Sequence, residues 1–352
     1  MPTDYDVAVI GAGPAGLACA LTAARAGLKV LVLEACTVER QFRAGEHLGP
    51  SCKALLRTVG VSLEGVSDSC PGVAVAWEGE ELRLKDYMFH PLGSGLNLFR
   101  PEFDCRLLDM ARAEGVSVRE ECYLRGAVRS RGSWTLSLSN GEERAAFLVD
   151  AAGRDSRIPE REFHYLDNLV GLSVLLDGVE FPTRHLWIEA AENGWWYLAP
   201  LAQGRAVVSW MSDADLVRVD GLSPLECWRQ NLQKSKRLSE QIDPLWAEAV
   251  TVVCARTRWS EPAFGAGWLA VGDAAFSYDP ISSQGIEKGL KQGLEAVPAI
   301  LDGLQGGSGE LERFVADGKS QFRAYLMTRE RFYSQVRRWP GSEFWNRRLS
   351  SG

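Results

Sequence analysis

The stretch from residue 5 to residue 34 leaves this chain few ways to fold. An apolar run, Tyr5–Ile10 (YDVAVI), leads into Gly11-Ala12-Gly13-Pro14-Ala15-Gly16. A helical pattern over 17–26 follows, and then a second apolar run over 28–33 that stops at the acidic Glu34. Strand, Gly-x-Gly-x-x-Gly turn, helix, strand and acid, within about 30 residues, is the spacing of a dinucleotide-binding βαβ unit. Gly11 permits the tight turn, Gly13 lets backbone approach a pyrophosphate, and Gly16 lets helix and strand pack closely. Ala12, Pro14 and Ala15 complete the loop that would touch the cofactor. The helix start would offer unpaired N–H groups and positive potential to phosphate, and Glu34 would accept hydrogen bonds from ribose hydroxyls.

One such motif does not choose between NAD and FAD. Two later apolar strands do. Residues 147–152 run into Gly153-Arg-Asp-Ser156, and residues 268–271 run into Gly272-Asp273. The chain then reads Ala-Ala-Phe-Ser-Tyr-Asp279-Pro280-Ile-Ser-Ser283-Gln284-Gly285-Ile286 and enters a helical pattern. An acid directly after a strand, then a Pro/Ser/Gly turn opening a helix, suits a cofactor gripped from both ends. Asp273 would meet ribitol or pyrophosphate. Backbone N–H groups of Ser283, Gln284, Gly285 and Ile286 would meet a ring carbonyl.

Composition sets the outer limits. The chain has 352 residues, 46% hydrophobic and 24% charged, the balance of an ordinary globular protein with two or three structural units. No uncharged apolar run is long enough to predict a membrane span, and the apolar start lacks the basic n-region of a signal peptide. A net charge of −7 argues against nucleic acid as the main partner. The one basic concentration, residues 323–348, is interleaved with aromatics and reads as a helical face. Eight cysteines without C-x-x-C spacing are expected to be reduced thiols of a cytoplasmic protein. Four histidines, none at ligand spacing to Cys, Asp or Glu, predict no metal site.

Val-Gly-Asp-Ala-Ala at 271–275 with D-P-I-S-S-Q-G-I at 279–286, the glycine motif, and D-A-A-G-R-D-S at 150–156 carry a family resemblance. They resemble the FAD-binding, aromatic-hydroxylase-like flavoproteins, a superfamily that includes flavin-dependent halogenases. Arg100, in F-R-P-E-F-D at 99–104, matches the family's R-x-x-F-D helix start, whose arginine lies near the FAD. Gly45-Glu46 with Leu48 and Pro50 matches its G-E-x-L-x-P segment beside the flavin ring. The resemblance implies an α/β fold: a Rossmann-like FAD-binding domain of the glutathione-reductase/p-hydroxybenzoate-hydroxylase type, an inserted, mainly antiparallel substrate sheet, and a C-terminal helical tail. Residues 1–75, 97–160 and 255–305 are expected in the FAD domain. Residues 76–96 and 161–254 would form the substrate domain, with short strands at 169–176, 184–190, 195–201 and 205–210, and 306–352 would form the tail.

Three further stretches are similar to one subgroup: residues 188–216, the D-P-x-S-S-Q-G-I form of the turn, and the tail F-R-A-Y…R-F-Y…R-R-W…F-W-N-R-R. That subgroup matures the quinone-cofactor lysine and glycine oxidases, acting on a tryptophan of the partner on the way to cysteine tryptophylquinone. It implies an FAD-dependent monooxygenase that hydroxylates an indole in the precursor of such an oxidase. Dioxygen would be the oxidant, and NAD(P)H or an external reductase the electron donor.

Near the ring the resemblance leaves the chemistry to the flavin, with Glu46, His47 and Pro280 as the nearest candidates. Glu46 and His47 are acid–imidazole neighbours suited to relaying protons. Pro280 would lie by the face where dioxygen reacts, while the helix start behind it stabilises negative charge on reduced flavin. Arg43, in the loop after the ribose acid, would reach a phosphate. In G-W-W-Y-L-A-P-L at 194–201, Trp195 and Pro200 match the halogenase W-x-W-x-I-P, but Tyr197 stands in place of its second Trp. Successive strand residues face opposite ways, so Trp195 and Tyr197 are the candidates to line a substrate site. The lysine a halogenase needs has only Lys53 and Lys85 to match it, and neither has the right context. Two alternatives stay open: a small-molecule aromatic hydroxylase or halogenase, and a flavin-bound assembly factor that does not turn over.

Overall fold

The structure, a computed structural model, describes residues 3–38, 45–156, 161–218 and 221–349. Its eight α-helices among these residues are α1 (Pro14–Arg25), α2 (Cys52–Val59), α3 (Arg100–Ala113), α4 (Ala214–Val217), α5 (Pro224–Lys234), α6 (Gly285–Leu304), α7 (Gly309–Tyr333) and α8 (Glu343–Leu349). The basis of the fold is a parallel sheet with strands in the spatial order Ser117–Arg119, Val30–Leu33, Tyr5–Ile10, Gly141–Asp150 and Trp268–Ala270. Val30–Leu33 and Trp268–Ala270 are buried at every position. That is why their sequences are continuously apolar: a parallel sheet is covered on both faces. The order is that of a doubly wound fold, in which ligands bind where strand order reverses, here at the carboxyl end of Tyr5–Ile10.

Glycines set how closely the layers approach. Gly11 has φ +107, and a Cβ built on it would lie 2.4 Å from the Ala151 carbonyl oxygen. A Cβ on Gly16 would lie 2.1 Å from the Gly11 carbonyl oxygen, and one on Gly293 in α6 would lie 2.4 Å from that of Ala15. Helices α1 and α6 therefore touch backbone to backbone directly behind the glycine loop.

The second large sheet has seven strands in the order Thr251–Cys254, Leu169–Asp177, Arg205–Asp213, Gly194–Leu201, Leu186–Ala191, Gly72–Ala76, Arg83–Asp86. Its pairs are antiparallel except Leu186–Ala191 with Gly72–Ala76. The strand Gly194–Leu201 is buried throughout and separates two cores by its alternation. Trp196 joins Trp210 and Trp228 on one face, under α5, while Trp195 and Tyr197 face the other, toward the tail.

In α7 the buried positions are Leu311, Val315, Gly318, Phe322, Tyr325, Arg329 and Tyr333, a stripe at three- and four-residue spacing. The stripe carries one arginine inward. In α8, Phe344, Trp345 and Arg348 are buried. The basic aromatic tail is thus packed within the chain. No described helix is long and apolar enough to cross a membrane. Because α6 lies on α1 with no room for a side chain, Gly293→Val is expected to lower stability by about 1–3 kcal/mol, measured by urea unfolding.

Candidate functional site

The glycine loop is held from the next strand. Glu34 is buried, and its carboxylate accepts from the Ala12 N–H at 2.8 Å and the Cys36 N–H at 3.3 Å. Helix α1 begins at Pro14, with Gly13 extended before it and no side-chain cap on its first turn. Its leading N–H groups are the unfilled donors of an anion site. Arg43 lies outside the described residues.

Opposite this loop, Gly272 has φ +63, and a Cβ on it would lie 2.8 Å from the Ala15 side chain. Its N–H donates to Gln292 of α6 at 2.8 Å, so loop, strand end and helix meet at one point. Asp273 follows, deep in the fold but with 27% of its side-chain surface still open. Its carboxylate pairs with Arg154 Nε at 3.0 Å and with Lys288 Nζ at 2.6 Å. Burial disfavours its charge, but Lys288, Arg154 and Arg258 outweigh burial and hold the carboxyl below its usual range. Burial pulls the Lys288 ammonium down, against the attraction of Asp273. Neither Arg154 nor Lys288 was singled out from sequence. Arg154 sits inside the G-R-D-S segment, and Lys288 lies one turn into α6, where only its distance from Gly285 signals it.

The turn that opens α6 is built by Asp279. Its Oδ1 accepts from the Ile281 N–H at 3.0 Å, and its carbonyl accepts from the Ser282 N–H at 3.1 Å. Ser283 takes a left-handed conformation, φ +50, and donates its N–H to the Pro280 carbonyl at 2.9 Å. Gln284 precedes the first turn of α6 without a side-chain cap, and a Cβ on Gly285 meets nothing within 4 Å. Pro280, Ser283, Gln284, Gly285 and Ile286 thus form one helix start with open space at its mouth.

The segment after Gly45 reaches the same place. Ser51 Oγ donates to Glu287 in the first turn of α6 at 3.2 Å. Glu46 is buried, with Oε1 accepting from the Gly45 N–H at 3.0 Å, while Oε2 is buried without an accepted hydrogen bond. The Tyr197 hydroxyl faces this carboxyl, at a geometry that leaves Oε2 unpaired, and Arg100, paired with Asp104 at 3.1 Å, lies near enough to act on it. Burial nevertheless dominates and pushes Glu46 up to about 7. Burial, together with Glu46, also pushes the Tyr197 phenol well above its ordinary value.

His47 is held differently. Burial lowers its pKa, against the hydrogen bond from its ring to Asn97. Asn97 Nδ2 donates to the Pro200 carbonyl at 3.0 Å, so Oδ1 is left to accept from His47 Nδ1 at 2.9 Å. His47 Nε2 then accepts from the Tyr87 hydroxyl at 3.2 Å. The imidazole ties strands together through both ring nitrogens. Trp195 has no exposed surface, and its indole N–H donates to the Tyr333 hydroxyl at 3.0 Å within a cluster containing Trp77 and Trp345. Tyr197 alone of the two strand candidates reaches Glu46. A cavity of about 370 Å³ between α6 and α7, lined by Gln292, Glu295, Glu310 and Arg313, touches this site only through Gln292.

These features fit a flavin dinucleotide: a glycine cradle without side chains, two uncapped helix starts facing it, and a buried carboxyl oxygen lacking a partner. The class is a two-sheet flavoprotein oxidoreductase. The chain belongs to the FAD binding domain family, whose model matches residues 4–319. It is 29% identical to LodB of Marinomonas mediterranea, over 98% of this chain and 96% of that one. It is 25% identical to a 1H-pyrrole-2-carbonyl-[peptidyl-carrier protein] brominase of Pseudoalteromonas luteoviolacea, over 91% of this chain and 81% of that enzyme. Among solved structures, the peptidyl tryptophan dihydroxylase QhpG, essential for tryptophylquinone cofactor biogenesis, superposes with a TM-score of 0.77 at 27% identity, over 98% of this chain and 78% of that one. The chondrochloren halogenase CndH shares the fold, with a TM-score of 0.85 at 23% identity, over 99% of this chain and 86% of that one. The protein is an FAD-dependent enzyme of this hydroxylase and halogenase superfamily.

Glu46 gives the site a pH signature. Its carboxyl is raised from 4.5 to about 7, so the folded chain holds a proton there that the unfolded chain has released. Stability from this group is complete below about pH 4.5 and declines as pH rises to about 7, by on the order of 3 kcal/mol in all. Glu46→Gln is expected to flatten that decline, measured as urea midpoints at pH 5 and pH 8.

Proposed function

We propose that this chain is an FAD-dependent monooxygenase that hydroxylates an indole: a tryptophan side chain in the precursor of a quinone-cofactor amino-acid oxidase. The carrying observation is Glu46, a buried acid that keeps its proton near neutral pH beside Tyr197, in the segment that meets the α6 start. Hydroxylation places one atom of dioxygen on the ring carbon and releases the other as water, consuming two electrons and two protons. The electrons come from NAD(P)H or a separate reductase. When bound, FAD supplies the redox chemistry and the activation of oxygen.

The chain's own groups would bind, orient and deliver protons. The Gly11–Gly16 loop would hold the pyrophosphate and Glu34 the ribose. Asp273, kept charged by Lys288 and Arg154, takes the ribitol hydroxyls. Arg100 and the N–H groups at 283–286 would hold the ring, with Pro280 beside it. Glu46 Oε2 keeps the proton, Tyr197 passes it on, and Trp195 fixes the wall behind Tyr197.

The similarity to a peptidyl tryptophan dihydroxylase over nearly the full chain supports a protein-borne tryptophan as substrate. The lysines favour hydroxylation over halogenation: Lys53 donates to the Leu92 carbonyl and Lys85 is exposed on the edge strand Arg83–Asp86.

The test supplies the FAD-loaded protein with NAD(P)H, a reductase and oxygen, and follows the mass of the precursor oxidase and of free tryptophan. Gain of oxygen on a precursor tryptophan, with free tryptophan unchanged, is the expected result. Oxidation of small indoles without the precursor would overturn the protein-substrate reading, and a halide-dependent mass would replace hydroxylation by halogenation. Maturation that survives Gly285→Trp would point to an assembly factor. Glu46→Gln is expected to slow turnover by about a hundredfold with FAD retained.

A further inference from the structure

We propose that Arg329 and Tyr333 of the C-terminal helix α7 are positioning residues that brace the Asp279-Pro280 turn for the flavin. The proposal rests on the reading above that this turn meets the cofactor.

Asp279 has no exposed surface, and one of its carboxylate oxygens serves the tail alone. Oδ1 builds the local turn through the Ile281 N–H, whereas Oδ2 accepts from the Tyr333 hydroxyl at 2.8 Å and from Arg329 Nε at 3.2 Å. The Asp279 N–H donates to a third tail group, the Tyr325 hydroxyl, at 2.7 Å. Nothing in a four-residue Pro turn requires these contacts. They fix its carboxylate and its backbone from outside, across 46 to 54 residues of sequence.

The brace is anchored at its far side. Arg329 is 5% exposed, and its other arm donates to Asp167 Oδ2 at 2.8 Å, at the entry to the strand Leu169–Asp177. The Tyr333 hydroxyl accepts from Trp195 Nε1 at 3.0 Å while donating to Asp279. One hydroxyl therefore joins the second sheet to the turn, and one guanidinium spans the same two parts. The planar guanidinium holds both carboxylates in one fixed geometry, Nε to Asp279 and Nη2 to Asp167, which the flexible point charge of an ammonium does not fix. The α7 stripe makes the arrangement possible, because Tyr325, Arg329 and Tyr333 fall on the inward face one turn apart.

The geometry predicts that loosening the brace moves the turn and hence the helix start behind it, without opening the core. Tyr333→Phe keeps the ring against Trp77 and Trp345 and deletes only the bridging hydroxyl. Arg329→Lys keeps the charge and loses one arm. Both are made in the full chain. FAD affinity is read by flavin fluorescence, the bound flavin by visible circular dichroism and midpoint potential, and the unloaded protein by its thermal midpoint. Each variant is expected to bind FAD about tenfold more weakly, with an altered visible spectrum and a more negative potential, beyond what its lowered unloaded thermal midpoint accounts for. Affinity within twofold of wild type with an unchanged spectrum overturns the brace, and so does weakening that merely tracks lost thermal stability. A wild-type chain that takes up no FAD overturns the flavin reading itself, and the brace with it.

Discussion

A carboxylate leaves water only if the protein replaces the hydrogen bonds and charge that water supplied. This fold takes several out of water and replaces those interactions with groups from distant parts of the chain. Asp213, at the end of a second-sheet strand, meets Arg348 of the last helix. Asp279 meets Arg329, and Glu189 accepts three successive N–H groups at 236–238. Each pairing joins two parts that sequence alone leaves separate, so the network positions the sheets, the turn and the tail relative to one another.

Glu46 differs from these. Its neighbours are a phenol and an arginine already paired with Asp104, and one of its oxygens is left without a hydrogen bond. Removing one more donor from such a group converts a structural anion into an acid that holds its proton near neutrality. The contrast with Asp273 makes the point. Both lie deep in the chain, yet two cations facing Asp273 keep it charged, while Arg100 is outweighed by burial at Glu46. The site thus sets a fixed negative charge near one end and a neutral acid near the other.

Part of this was legible in the residues. The glycine loop, the acid after the fourth apolar strand and the Asp-Pro turn could be placed on strand ends and helix starts from their neighbours. The alternation of Trp195 and Trp196 also held, because side chains on a strand point to opposite faces. What lay on each face could not be read. Trp195 meets Tyr333, 138 residues away, and its N–H is used there. His47, beside an acid in sequence, turns from it to Asn97 and Tyr87 because adjacent strand residues diverge. The basic aromatic tail reads in sequence as a helical face, and the fold turns its stripe of aromatic residues and Arg329 inward.

Sequence by itself determined the βαβ unit, the family and the positions where backbone must come close to a ligand. Those depend on local steric facts: a glycine where a Cβ has no room, and apolar runs whose period matches one element. Only the tertiary structure decided which carboxylates are paired and which is left protonated. It also decided that the last helices hold the turn at Asp279. Both follow from burial and from partners that folding brings together, 15 residues apart for Lys288 and Asp273 and 50 to 162 apart for Asp279, Arg329 and Asp167, and neither is written in any local pattern.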